Sequence, residues 1–324
     1  MKTKLGKKKT ARAFAPGSVG NIAVGFDLLG FSVDQVGDTV QASLEPGGES
    51  SNSSSNEQVT VEEVTGFSQG IPFEMKKNTA AFSVYKMLED LNLSQEIYLK
   101  IEKGIPPGSG LGSSACSAVA AVVAVNQLLD EPLDEKILFE YALHGESLAS
   151  GSYHGDNVGP SLLGGVVLSV LNHKTQVISL PYPERLYYVV VHPDFVLPTS
   201  KARAVLNENI ALKDYVHQSG YLAQFITGLC LKDEFLIKES LKDNLFEPQR
   251  SKLIPGFDNM KELALDCGAF GFSISGAGPS VFSLTNSFEK ADKIAACLKS
   301  YLLESGVKSQ YFTGVIGGQG SKIF

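Results

Sequence analysis

The sequence predicts an α+β protein of two domains, and three observations carry that expectation. Strand-like and helix-like runs are mixed along the 324 residues without the regular alternation of a doubly wound parallel sheet. In the first half, a glycine-rich turn leads from a strand-like run into a helix that is apolar nearly all round. After Gly164 and Gly165 the pattern restarts with fresh strands, which places a domain boundary near residue 170, within about ten residues either way.

The first residues, 1–12, carry Lys2, Lys4, Lys7, Lys8, Lys9 and Arg12 with almost no apolar content. Residues 1–13 are therefore expected to be a flexible, solvated basic tail; a weak contact with a polyanion is the other reading. Runs at 39–44 and 58–64 look like strands, and the serine- and asparagine-rich stretch 47–56 between them reads as a long mobile hairpin loop. Phe82, Tyr85, Leu88 and Leu91 share one face of a helix over 79–91. A strand over 97–101 precedes the turn, and the apolar helix follows over 115–129. Residues 133–149 form an amphipathic helix closed by Gly151, and strands follow at 165–170, 186–192, 271–274 and 281–284.

Composition narrows the function classes. A net charge of −7 argues against a general nucleic-acid partner, which would want a basic face. No stretch reaches the roughly 20 apolar residues of a membrane span; the longest, 115–129, contains Ser117, Asn126 and Gln127. The four cysteines form no C-x-x-C pair, and three lie in apolar stretches where a buried free thiol is the plain reading. A reducing cytoplasm fits them.

The turn carries the chemistry. Segment 106–115 reads Pro-Pro-Gly-Ser-Gly-Leu-Gly-Ser-Ser-Ala. Gly108, Gly110 and Gly112 can take positive φ, turning successive amides toward one concavity that suits phosphate oxygens. The helix then opens on small hydroxyl residues, where free amides and the dipole favour an anion. An ordinary glycine-rich strand-to-helix turn is the alternative. No Gly-Lys-Ser/Thr marks a Walker A loop, and Ser113 stands where the dinucleotide fingerprint needs its third glycine.

With these residues in view, the chain resembles the GHMP kinases (galactokinase, homoserine kinase, mevalonate kinase, phosphomevalonate kinase). The loop is similar to their second motif. Segment 15–30, Ala-Pro-Gly-Ser-Val-Gly-Asn-Ile-Ala-Val-Gly-Phe-Asp-Leu-Leu-Gly, resembles the first motif in the form homoserine kinases carry, with Gly17 and Gly20 where alanine is common. Segment 274–281, Ile-Ser-Gly-Ala-Gly-Pro-Ser-Val, resembles the third. The likeness runs from about residue 14 to the end of the chain. It implies a two-domain GHMP fold: a ribosomal-S5-like ATP-binding domain over 14–170 and a ferredoxin-like domain over 171–324, with the site between them. A homodimer is implied as well.

The same resemblance implies ATP and Mg²⁺, with L-homoserine as acceptor and O-phospho-L-homoserine as product, a step in threonine biosynthesis. ATP is then met by Asn78 and by Pro106, Pro107, Gly108, Ser109, Gly110, Leu111, Gly112, Ser113, Ser114, Ala115 and Cys116. For Asn78 a helix N-cap is an equally good explanation. Ser114 and Glu146 are implied to hold Mg²⁺. Glu146 flanks the apolar face of its helix, where a carboxylate without a cationic partner is expensive to bury; a lysine partner at the surface is the other reading. Many GHMP kinases carry an aspartate after the second long helix that can act as general base; similarity to homoserine kinases puts Asn157 at that position, within 152–159, Ser-Tyr-His-Gly-Asp-Asn-Val-Gly. An amide cannot take a proton, so the implied role is to hold the acceptor hydroxyl in line. His154 as a base, or as a loop histidine satisfied by backbone, both stay open, and Asp156 reads as a turn cap. Asn21 and Asp27 are implied to meet the substrate ammonium and Arg203 and Arg250 its carboxylate, with Thr199 and Gly276 beside them. A kinase for mevalonate or a sugar, and a catalytically silent ligand sensor, are the rival functions.

Overall fold

A computed structural model describes residues 4–47, 57–151, 153–172 and 175–324. Strands β1 (Thr10–Gly20), β2 (Leu29–Ser43) and β3 (Val59–Gly66) come first, followed by α1 (Thr79–Asp90) and β4 (Ile97–Lys103). Helices α2 (Ser113–Asn126), α3 (Glu135–Ser150) and α4 (Gly155–Leu163) lead to β5 (Val166–Val170), β6 (Gln176–Leu180) and β7 (Tyr187–Pro193). Five helices come next: α5 (Thr199–Ala204), α6 (Leu212–Leu231), α7 (Glu234–Ser240), α8 (Glu247–Arg250) and α9 (Phe257–Asp266). The chain closes with β8 (Gly271–Ile274), β9 (Val281–Thr285), α10 (Phe288–Glu304), β10 (Ser309–Val315) and β11 (Lys322–Ile323).

Two sheets result, as an α+β fold requires. The first runs β11-β1-β2-β4-β3, with β5 on the early part of β2 and β6 on β5. The second is β10-β7-β9-β8, all antiparallel. Sequence pattern explains the elements. In β4, Ile97, Leu99 and Ile101 are buried and the residues between them are more exposed, the period-two signal of a sheet with one covered face. In α2 every residue except Ser114 is buried, so this alanine- and valine-rich helix has no solvent face. It packs on β1 and β2 and beside α1 and α3, forming one core with Ala13, Val40, Leu99 and Phe139.

A second core joins the two halves. Val19, Phe31 and Val33 from the first sheet meet Tyr188, Val190 and Phe282 from the second. Phe31 lies 5.6 Å from Tyr188 and edge-on to Phe282 at 5.8 Å between ring centroids. A third core lies between the second sheet and helices α9 and α10.

Four expectations are corrected. Strands β2 and β3 do not pair in a hairpin: β4 lies between them, antiparallel to β2 and parallel to β3, so the linker is a crossover. Residues 48–56 of that linker lie outside the described residues. The basic tail is shorter than expected, because β1 begins at Thr10 and pairs with β2, burying Ala11 and Ala13. Leu5 also bridges Leu129, and the Lys4 amide donates to Asp130. A cut at 170 would part β5 from β6, since the first sheet keeps the chain to Leu180 and regains it at β11. His154 and Asp156, given loop and turn roles, stand at the start of α4. Of the cysteines, Cys116 and Cys267 are buried, Cys297 is partly covered and Cys230 is exposed. Among the described residues no helix is long and apolar enough to cross a membrane.

Helix α4 and β2 touch most closely at Gly30, where a β-carbon would stand 1.8 Å from the carbonyl oxygen of Asp156. Backbone cannot yield as a side-chain tip can, so Gly30→Ala is expected to cost about 1–3 kcal/mol or more. Urea unfolding would measure it, and an unchanged midpoint would contradict the close packing.

Candidate active site

The three glycine-rich segments meet between the two halves. Gly108, Gly110 and Gly112 have φ of 69°, 80° and 67°, the left-handed region expected of them. The turn 275–280 of the second half holds this loop from outside. Ser275 Oγ donates to the Gly110 carbonyl at 2.7 Å, and the Ser280 amide to the Ser109 carbonyl at 3.1 Å. The Gly276 amide donates to Gly20 at 3.1 Å, and the Ser18 amide to Leu111 at 3.1 Å. All three motifs are thereby tied into one backbone frame.

A cavity of about 460 Å³ opens in that frame. Pro107, Gly108, Ser109, Gly110, Gly112, Ser113 and Ser114 line it, with Asn78 on the same wall. Pro106, Leu111, Ala115 and Cys116 do not; Leu111, Ala115 and Cys116 are buried in the cores, and Cys116 donates to the Pro16 carbonyl at 3.0 Å. Both polar ends of Asn78 are used locally: Oδ1 accepts from the Ala81 amide at 3.1 Å and Nδ2 donates to the Pro72 carbonyl at 2.8 Å. The N-cap reading describes that side chain, which also fixes the adjoining cavity wall at Ile71 and Pro72.

Ser114, the one incompletely buried residue of α2, donates its hydroxyl to Glu146 Oε2. A hydroxyl and a carboxylate in contact at a helix N-terminus are hard oxygen donors of the kind Mg²⁺ takes, with phosphates and waters as its remaining ligands. Among the described residues no group of three or more His, Cys, Asp or Glu side chains could hold a metal.

The other end of the cavity collects Asn21, Asp27, His154, Asp156, Asn157, Thr199, Arg203, Arg250 and Gly276. The Asp27 carboxylate accepts from Arg203 Nη2 at 2.7 and 2.8 Å. Arg203 Nε is buried without a hydrogen-bond partner among the described residues. Arg250 donates to the carbonyls of Ala202 at 3.0 Å and Gly276 at 3.2 Å. Asn21 Nδ2 shares the Gly276 carbonyl at 2.8 Å, and Asn21 Oδ1 accepts the Asp27 amide at 3.0 Å. Burial, then the neighbouring Arg203 charge, lowers the Arg250 guanidinium to about 10. Phe26, stacked on Phe246 at 3.8 Å, offers its ring to both guanidinium groups, 4.8 Å from Arg250 and 5.5 Å from Arg203.

Histidine 154 is not a backbone-satisfied loop residue. It is buried at the start of α4, with Nδ1 3.4 Å from Glu146 Oε1 and Nε2 against Arg203 Nη2. A guanidinium only donates, so this contact requires the lone pair on Nε2 and places the proton on Nδ1. Burial lowers the imidazole, but the hydrogen bond and charge of Glu146 and the charge of Asp156 outweigh it, and the net direction is upward. With both nitrogens engaged, no free lone pair is left for a base at this position.

Asp156 is likewise no turn cap. Its Oδ2 accepts the Asn21 amide at 3.0 Å and its Oδ1 accepts from Asn157 Nδ2 at 3.3 Å. Asn157 Oδ1 accepts from the Ser18 hydroxyl at 3.0 Å. Sequence reasoning also missed Lys103, which donates to Asp38, to the Ser113 carbonyl at 2.8 Å and to Ser117 Oγ at 2.8 Å. A lysine at the end of a strand carries no sign of burial; its position just ahead of the glycine loop was the available signal.

Burial, with the Asp27 charge adding to it, pushes the Asp156 carboxyl up to about 7. The unfolded chain releases this proton near the ordinary aspartate value of about 4. The group's contribution to stability is therefore full below about pH 4 and is lost as pH rises through about 7. Asp156→Asn, which does not titrate, is expected to gain on the wild type between pH 4 and 8, by an amount on the order of a few kcal/mol. Urea unfolding at both pH values tests this; a difference that does not change with pH would refute the shift.

Comparison with known proteins gives the family. Residues 78–165 match the GHMP kinases N terminal domain and residues 225–303 the GHMP kinases C terminal domain. The chain is 42% identical over 313 residues to the homoserine kinase of Xylella fastidiosa strain M12, covering 97% of this chain and 94% of that one. It is 40% identical over 323 residues to the homoserine kinase of Chlorobium phaeobacteroides strain DSM 266, covering 97% and 99%. The crystal structure of homoserine kinase from Cytophaga hutchinsonii superposes with a TM-score of 0.91 at 41% identity over 99% of both chains. At this identity over nearly the whole of its length, the chain belongs to the homoserine kinase family of the GHMP kinases.

Proposed function

We propose that this chain transfers the γ-phosphoryl group of ATP to the side-chain hydroxyl of L-homoserine, giving ADP and O-phospho-L-homoserine for threonine biosynthesis. The observation that carries this is the placement of Asp27, Arg203 and Arg250 beside Asn157, in the same cavity as the phosphate loop. An amino acid is a zwitterion, and its site needs an anion and a cation a few ångströms apart. Asp27 and Arg203 neutralise each other across that space. An ammonium and a carboxylate inserted between them would give each charge a new partner, and the buried Arg203 Nε an acceptor. Mevalonate has no ammonium and a neutral sugar has neither charge, so neither would repay separating the pair.

Ser114 and Glu146 are the residues that would hold Mg²⁺. The ion's part is to neutralise charge on the β- and γ-phosphates. The amides of the 108–114 turn and the N-terminus of α2 cradle the phosphates. Asn157, fixed at one end by Ser18 and at the other by Asp156, directs its amide at the acceptor hydroxyl. Catalysis then rests on alignment and charge stabilisation, which suffice for a loose phosphoryl-transfer transition state. The proposal includes a homodimer in a reducing cytoplasm.

ADP release measured with L-homoserine, mevalonate, galactose and shikimate in parallel should favour homoserine. Arg203→Ala should raise KM for homoserine by about 10-fold or more, with KM for ATP little changed. Preference for another acceptor would sink the substrate assignment. Glu146→Gln should raise the Mg²⁺ concentration needed for half-maximal rate at least several-fold; an unaltered Mg²⁺ dependence would remove Glu146 from the metal site.

A further inference from the structure

A single buried carboxylate serves two parts of the acceptor site. Asp156 is 2% exposed, and each of its oxygens accepts a bond from a residue of the proposed machinery. One is the backbone amide of Asn21. That residue begins a left-handed turn of three non-glycine residues, Asn21, Ile22 and Ala23, with φ of 70°, 42° and 57°. L-residues adopt such backbone only where the surroundings hold them in it. The turn closes through the Gly25 amide on the Asn21 carbonyl at 2.8 Å and presents the Asn21 side chain to Asp27 and Gly276. The other bond comes from the Asn157 amide, whose opposite end accepts the Ser18 hydroxyl. Reversing that amide would set its carbonyl against the Asp156 carboxylate, so the carboxylate fixes which end is which.

Stability alone does not account for an acid at this position. The carboxylate is desolvated and faces the like charges of Asp27 and Glu146, with His154 and Arg250 as the nearby cationic or titratable groups. A neutral amide would be cheaper to bury. What an amide cannot do is accept on both sides, because one of its two polar ends only donates.

We infer that Asp156 is the positioning residue of the acceptor site: by accepting from Asn21 and Asn157 together, it holds the ammonium subsite and the group that meets the hydroxyl in one register. The inference deepens the proposed function and rests on it. Loss of the second acceptor should let Asn157 turn away from the hydroxyl while the nucleotide side of the cavity stays in place. A misplacement of this kind costs up to about 100-fold in rate.

The test is steady-state kinetics of Asp156→Asn with ATP and L-homoserine, beside urea unfolding at pH 8. The expected result is a kcat lower by about 10- to 100-fold, an unchanged KM for ATP, and a stability no lower than wild type. Combined with Asn157→Ala, the double variant should lose less than the product of the two single losses, since one residue acts through the other. If Asp156→Asn does not fold, Asp156→Ser, which leaves a void instead of a misplaced donor, carries the same kinetic test. A kcat equal to wild type, or single losses that multiply, would overturn the inference. A loss of rate that only follows a loss of folded protein would overturn it equally. Absence of wild-type turnover with homoserine would instead defeat the functional reading beneath it.

Discussion

Hydrogen bonds from the 275–280 turn to the backbone of the first half's loops are the constraint on which the site depends. Ser275 and Ser280 hold the carbonyls of Gly110 and Ser109, and Gly276 holds that of Gly20. These contacts, with positive φ at Gly108, Gly110 and Gly112, fix the shape of the glycine loop at the cavity wall. The same turn supplies the Gly276 carbonyl on which Asn21 and Arg250 converge. A phosphate cradle made from one half is thus set by the other, and the Phe31, Tyr188 and Phe282 contacts keep the halves in register. Neither half makes the site alone.

Charge is distributed in the cavity according to what each group must do. Lys103 and Asp38 are buried, pair with each other and bind Ser117 as well, and Lys103 also donates to the Ser113 carbonyl, so they anchor the start of α2 at the cavity wall. Asp27 and Arg203 also pair, yet both stay about one-third exposed, so a competing ligand can reach them. Ion pairs at that exposure are worth little on their own, so exchanging partners costs little. The arginines repel each other, and the Phe26 ring lies close enough to both to offset part of that repulsion. An acidic protein can therefore bind ATP and an anionic carboxylate, because local donors outweigh the net charge.

Legibility in the sequence followed chain distance. The glycine loop, its positive φ values and the helix behind it were readable because each follows from neighbouring residues. Helix α2 was readable because a helix buried all round has no polar face to disguise it. Pairing partners far apart in the chain were not. Strands β2 and β3 are neighbours in sequence, and nothing local shows that β4 slips between them. Residues 152–159, with two glycines and an asparagine, carry turn chemistry, so α4 was missed; its close packing on β2 at Gly30 and on β5 at Gly159 overrides that propensity. His154 and Asp156 were accordingly given loop roles, when their partners lie 49 and 135 residues away. The resemblance to a kinase family placed Asn21, Asp27, Arg203 and Arg250 together, which no local pattern could have done.

An amide rather than an acid at 157 makes sense beside its neighbours. Asp27, Glu146 and Asp156 already place three carboxyl groups around the cavity. Asp156 is pushed up to about 7 by burial and the charge of Asp27, so a fourth acid at 157, in contact with it, would be driven further from its charged form. An acid that is already protonated at neutral pH cannot take a proton from a hydroxyl. An asparagine avoids that conflict, and its donating end accepts orientation from Asp156. The acid one residue earlier, Asp156, has its two oxygens engaged by the Asn21 amide and by Asn157 Nδ2.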